Sequence, residues 1–210
     1  MSDGKVKLVL ASASPRRLGL LEQAGLMPDL LNPVDIDETQ GRRETPRALS
    51  LRLATEKAKA ALEAPQVKNL NAPTFMLAAD TVVAVGRRII DKPKSVEDAG
   101  DALRLLSGRA HKVFTSICLI SPTGSMKSRV SETKVRFKRL SREDIESYLA
   151  SDEWRGKAGA YAIQGRAEAF VRYLSGSHSA VVGLPLYETV ALLQGAGYPV
   201  YFAWMNARPA

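Results

Sequence analysis

Short apolar runs alternate with capped helical patterns along this chain, and two of its longest strand-like runs meet at a tight turn. "LVL", "TFMLAADTVVAV", "HKVFTSICLI" and "KSRVSETKVRFKRL" read as strands, and the last two join at "SPTGS". "GRR" makes a turn into "IID", and "AFVRYL" and "HSAVV" read as a further hairpin about "SGS". Between the strands lie helices with explicit starts. Ser14 stands as N-cap before Pro15 at the first helical position, with Gly25 as the stop. Thr45 and Pro46 open "PRALSLRLATEKAKAALEA" in the same way. Ser95 with Asp98 and Ser141 with Asp144 form capping boxes for "VEDAGDALRLLSG" and "REDIESYLAS", and a last helix begins near Pro185. "MPDLLNPVDIDETQGRRET" and "PQVKNLNAP" read as loops. Alternation alone would allow a purely parallel sheet, but the hairpins demand antiparallel neighbours. The predicted class is therefore α/β, a long mixed twisted sheet with packed helices. A length of 210 residues suits a single domain over 1–210, large enough for two lobes around a central cleft.

Thirty Lys and Arg against 22 Asp and Glu leave a formal charge of +8, which favours an anionic partner. Nucleic acid, nucleotide and phosphorylated metabolite are all open on that basis. The single cysteine, Cys118, excludes an intrachain disulfide framework and a cysteine zinc site. "MSDGKVK" lacks the apolar stretch of a signal peptide, and no apolar run reaches bilayer length. The expected setting is cytoplasmic, without a membrane partner.

Several side chains sit where structure alone does not ask for them. Arg16 and Arg17 fall in the first turn of a helix, where the dipole already presents positive charge. Either they are solvated surface arginines, or they await a phosphate, which would also meet free N–H groups and the Ser12 and Ser14 hydroxyls. The turn has neither the GxxxxGK[ST] nor the GxGxxG pattern. Asp80 interrupts an apolar strand, so it is either paired with a cation or used as a metal ligand or general base. Thr81 faces the other side of a regular strand. Lys57 falls between Leu53 and Ala61 on the helical wheel, inside the apolar arc, and must snorkel or reach a buried anion. Lys92 follows a strand at a loop where a phosphate could be met. Asp35, Asp37 and Glu38 form an acidic loop, either solvated or supplying oxygen ligands to Mg²⁺ or Mn²⁺. Gln164 has a paired donor and acceptor able to read a base edge, or is an ordinary turn residue. His111 and His178 sit at apparent strand starts with no catalytic or metal spacing.

Taken in order, "LASASPRR", "RLATEKAKA", "AADTVV", "DKPKS", "LRLLSGRAHKVFT", "KAGAYAIQG" and "AVVGLPLYET" resemble the Maf family of nucleotide pyrophosphatases over nearly the whole chain. The resemblance implies a two-lobed fold similar to inosine triphosphate pyrophosphatases. It also implies metal-dependent hydrolysis of a nucleoside triphosphate to monophosphate and pyrophosphate, and a homodimer. By this carry-over Asp80 is the proton acceptor and a metal ligand. Ser12, Arg16, Arg17, Lys57 and Lys92 hold the triphosphate. A family glutamate that ligates metal falls on Asp37, with Glu38 beside it. Arg16, Thr81 and Gln164 match the branch acting on dTTP and UTP, where a sister branch acting on 7-methyl-GTP carries an aromatic, a Gln and a Glu. The chemistry agrees, since a ring suits a cationic purine and a neutral amide suits uracil or thymine.

Two other readings compete. One is a basic nucleic-acid-binding or cell-division regulatory protein, consistent with the family's link to septum formation. Its best candidate surface, "KSRVSETKVRFKRL", offers only Phe137 as an aromatic. The other is a cleft that binds nucleotides without turnover, with Asp80 a structural ion pair.

Overall fold

The structure, a computed structural model, describes residues 6–206. The segment Met1 to Lys5, most of the stretch read above for a leader, and residues 207–210 lie outside the described residues. In chain order the elements are β1 (Lys7–Leu10), α1 (Pro15–Gln23), β2 (Leu30–Leu31), α2 (Pro46–Leu62), α3 (Pro65–Lys68), β3 (Thr74–Val85), β4 (Arg88–Ile90), α4 (Val96–Leu106), β5 (Ala110–Ile120), β6 (Met126–Phe137), α5 (Arg142–Leu149), β7 (Val171–Ser175), α6 (His178–Val182), α7 (Leu186–Gly195) and α8 (Val200–Asn206). Two short 3₁₀ turns, Ala158–Ala160 and Arg166–Phe170, lie between α5 and β7.

The strands form one mixed seven-stranded sheet in the order β2-β1-β3-β5-β6-β7, with β4 also paired to β3. β2, β1 and β3 are parallel, while β3, β5, β6 and β7 run antiparallel. The long strands β3 and β5 carry packed cores toward both ends, and β6 joins one of them. At one end Leu8, Leu10, Phe75 and Leu77 bury one face against α1 and α7, and Val9, Met76, Ala78 and Cys118 bury the other against Ala54, Ala58 and Ala61 of α2. This two-sided burial explains the unbroken apolar runs. At the other end Val83, Val113, Val135 and Phe137 pack with Leu103 and Leu106 of α4, Tyr148 of α5, and Trp154, Tyr161 and Phe170.

Both predicted capping boxes form, and Thr45 Oγ1 accepts from Ala48 N at 3.2 Å. Ser14 occupies the cap position with extended backbone, but its side chain makes no cap hydrogen bond. The structure corrects several expectations. "HSAVV" is the helix α6, not the second arm of a hairpin, and β7 pairs with β6 instead. Ser177 decides this locally: its Oγ accepts from Ala180 N at 3.2 Å, and Gly183 ends the helix with φ of 137°. His178 therefore opens a helix rather than a strand. The stretch "PQVKNLNAP" holds the single turn of α3, opened by Pro65, and the first long loop contains β2. The helix α8 lies beyond the last element expected from the sequence.

Candidate active site

The cleft exists because β3 changes its neighbour along one edge. As far as Leu77 that edge pairs with β1, and from Val83 it pairs with β4. Ala11 N, donating to Leu77 O at 2.8 Å, makes the last contact from the β1 side. Among the described residues, 78–82 thus have a strand neighbour only on the β5 side, at the carboxyl end of the parallel pair where open α/β sheets bind ligands. Asp80 and Thr81 occupy that gap. They point to opposite faces, as a regular strand requires, and both still line the opening because it is cut through the sheet edge.

Asp80 lies on the α2 face. Lys57 Nζ donates to Asp80 Oδ1 at 2.6 Å and to Glu38 Oε1 at 2.5 Å, and Lys92 Nζ donates to Glu38 Oε2 at 3.3 Å. Lys57 therefore reaches a buried anion instead of snorkelling, and its place in the apolar arc of α2 is explained. Burial pushes the Glu38 carboxyl up, but hydrogen bonds and charge from Lys57 and Lys92 outweigh it and hold the group below its ordinary value.

Across the cleft, the turn after β1 presents Ser12, Arg16 and Arg17. Arg17 is committed to the protein: its Nε donates to Gly183 O at 2.9 Å and its Nη1 to Ser12 Oγ at 3.1 Å. Burial lowers its pKa, partly opposed by Asp80. Arg16 has no side-chain hydrogen bond or ion pair among the described residues and borders the cleft, and burial likewise lowers its pKa. Ser14 lies beside the same turn. Thr81 Oγ1 is 3.1 Å from Thr115 Oγ1 on the α6 face, and Gln164, an exposed residue, lines the same cleft.

The structure does not bring Asp37 to this cluster. Its Oδ1 accepts from Thr39 N at 2.9 Å in a local turn, and the side chain is exposed, as is Asp35. Of the acidic loop, Glu38 alone joins Asp80. Among the described residues no three His, Cys, Asp or Glu side chains gather as a self-sufficient metal site. The donor chemistry nevertheless fits a hard divalent cation shared with phosphate oxygens, because two carboxylates already converge on one cationic centre, Lys57 Nζ.

Sequence reasoning passed over Lys157 and Tyr161. Lys157 borders the cleft beside Arg16, and burial together with the Arg16 charge lowers its pKa. Its Nζ donates to Arg155 O at 2.8 Å. Tyr161 lines the far wall and is held by His111, with Nε2 and the phenolic oxygen 2.8 Å apart. A lysine inside a glycine-rich turn was the available signal for Lys157, but only the tertiary fold brings that turn to Arg16. Five cationic side chains, Arg16, Arg17, Lys57, Lys92 and Lys157, thus face two carboxylates, Glu38 and Asp80. Phe137, the one aromatic of the basic strand β6, is buried among Tyr161, Phe170 and His111, so that strand presents no ring on which a base could stack.

Residues 7–196 match the family model described as Maf-like protein, and the chain belongs to the Maf family. Among curated relatives, the dTTP/UTP pyrophosphatase of Rhodopseudomonas palustris (strain HaA2) is 59% identical over 204 residues, covering 97% of this chain and 99% of that protein. The dTTP/UTP pyrophosphatase of Mesorhizobium japonicum is 59% identical over 203 residues, covering 97% and 98%. Among solved structures, a HAM1 protein from Coxiella burnetii aligns with TM-score 0.46 and 14% identity over 91% of this chain and 100% of that one. No helix among the described residues is long and apolar enough to cross a membrane.

Proposed function

We propose that this chain is a nucleoside triphosphate pyrophosphatase that hydrolyses dTTP and UTP, and modified pyrimidine triphosphates, to the monophosphate and pyrophosphate. The carrying observation is the Glu38–Lys57–Asp80 cluster opposite Arg16 in one cleft. A triphosphate brings about four negative charges, and a surplus of cations over two carboxylates is the electrostatic complement of that load. Relatives of 59% identity over nearly their full length, named dTTP/UTP pyrophosphatases, support the same substrate class.

On this reading Arg16, Lys92 and Lys157 hold the phosphates, and Arg17 with Ser12 fixes the turn that delivers Arg16. Asp80 accepts the proton of the water that attacks the α-phosphorus, and pyrophosphate leaves toward the cationic side of the cleft. Lys57 fixes the orientation of the Asp80 carboxylate, which a proton acceptor requires. Glu38 and Asp80 would hold Mg²⁺ or Mn²⁺ together with the substrate, and the ion supplies neutralisation of the phosphoryl oxygens. Thr81, Gln164 and Arg16 select the base. The proposed enzyme is a cytoplasmic homodimer, a state that light scattering checks directly.

The test is a panel of dTTP, UTP, CTP, GTP and 7-methyl-GTP with Mg²⁺ or Mn²⁺, scoring pyrophosphate separately from orthophosphate. Pyrophosphate from dTTP and UTP is expected, with Asp80→Asn lowering kcat by about 10²- to 10⁴-fold. Chelation of the metal is expected to abolish turnover, and added Mg²⁺ or Mn²⁺ to restore it. Orthophosphate alone, or no product from any nucleotide, sinks the proposal.

A further inference from the structure

A hydroxyl carries one proton, and at Thr115 that proton is already committed. Thr115 Oγ1 donates to Ala180 O at 2.6 Å, and a carbonyl can only accept. Ala180 O needs this bond: Gly183 N and Leu184 N at the end of α6 both donate to Ser179 O instead. Thr115 is fully buried, so no solvent offers an alternative arrangement. Thr81 Oγ1 lies 3.1 Å from Thr115 Oγ1. With no second proton on Thr115, the hydrogen bond between the two threonines runs from Thr81 to Thr115. The Thr81 proton therefore points into the protein, and only lone pairs of Thr81 face the cleft.

We propose that Thr115 is a positioning residue for base selection, which makes Thr81 an acceptor-only contact and so selects bases that carry an imide N–H. The inference rests on the pyrimidine triphosphate reading above and deepens it. Uracil and thymine each carry one ring N–H, at N3 between two carbonyls, whereas unprotonated cytosine presents a lone pair at N3. Lone pairs of Thr81 accept from the imide and find nothing to accept at cytosine N3, leaving two acceptors unpaired in a partly desolvated cleft. Gln164 cannot make this distinction alone, since its amide has both a donor and an acceptor and, on an exposed residue, can turn either way.

The experiment compares kcat/KM for UTP and CTP in the full-length protein and its variants. Wild type is expected to favour UTP by about tenfold or more. In Thr115→Val the Thr81 hydroxyl is released to donate as well as accept, and the UTP:CTP ratio is expected to fall about tenfold. Thr115→Ser retains both hydrogen bonds and is expected to keep the ratio to within about twofold. A purely structural role for Thr115 would slow both substrates together and leave the ratio unmoved. Thr115→Val strands Ala180 O, so folding is checked by circular dichroism. If it does not fold, Thr81→Val and Thr81→Ser give the same contrast, with the ratio lost in the first and kept in the second. An unmoved ratio in the folded valine variant, or equal use of UTP and CTP by wild type, overturns the inference while the pyrophosphatase reading stands. Absence of pyrophosphate from either nucleotide removes that reading and the inference with it.

Discussion

Lys57 stands between two carboxylates with only 11% of its side chain exposed, and Asp80 is 8% exposed. At such burial each charge is tolerable only while the other is present. Lys57→Met is therefore expected to cost about 3 kcal/mol of stability in urea unfolding, by leaving Asp80 an unpaired buried anion, as well as to reduce turnover. Adding Asp80→Asn to Lys57→Met is expected to recover part of that loss, which separates the ion pair from general packing. The two acidic neighbours divide cleanly. Glu38→Gln is expected to raise the Mg²⁺ concentration for half-maximal activity about tenfold, whereas Asp37→Asn, in a turn away from the cluster, shifts it less than about twofold. Titration of activity against metal reads both. Residue by residue, the anomalous side chains were legible in the sequence, because a charge in an apolar pattern needs a reason. Whether Asp37 or Glu38 entered the site was not legible, since that depends on the path of a loop with no periodicity.

At the scale of elements, the helix starts follow from residues that supply their own hydrogen bonds. Thr45→Ala is expected to cost about 1 kcal/mol through loss of the bond to Ala48 N. The turn that carries Lys157, Tyr161 and Gln164 depends on Gly159, which has φ of 74° and approaches Val83 so closely that an added Cβ would lie 2.9 Å from Cγ1. Gly159→Ala is expected to destabilise the fold by about 1–2 kcal/mol from the left-handed backbone alone, with further loss from the contact. Thermal melts measure the loss, and a raised KM would show the wall of the cleft displaced. The misread element, α6, shows where local pattern fails. "HSAVV" is as good a strand as many, and its helical state is set by the Ser177 cap together with Thr115 and Arg17, which satisfy carbonyls at its end. Two of those three partners are distant in sequence, so no reading of neighbouring residues could weigh them.

The whole molecule places its cleft between two cores strung along the same long strands, and the stability of the distal core is coupled to pH. His111 is 2% exposed, bonded through Nε2 to Tyr161, with no partner for Nδ1 among the described residues. Burial lowers its pKa to about 4 from an ordinary 6.5. Between those values the unfolded chain binds the proton and the folded one does not, so stability falls as pH drops from about 6.5 toward 4, by up to about 3 kcal/mol. Urea midpoints across this range are expected to slope less steeply in His111→Gln. The sequence by itself determined the long strands, the helices opened by Thr45, Ser95 and Ser141, the mixed character of the sheet and the odd charges, because each is encoded in spacing over a few residues. Only the tertiary structure decided that β3 would exchange β1 for β4 at Asp80, that Glu38 and not Asp37 would meet Lys57, and that Lys157 would stand beside Arg16. Those outcomes depend on contacts between residues far apart in the chain, whose energies exist only once both partners are in place.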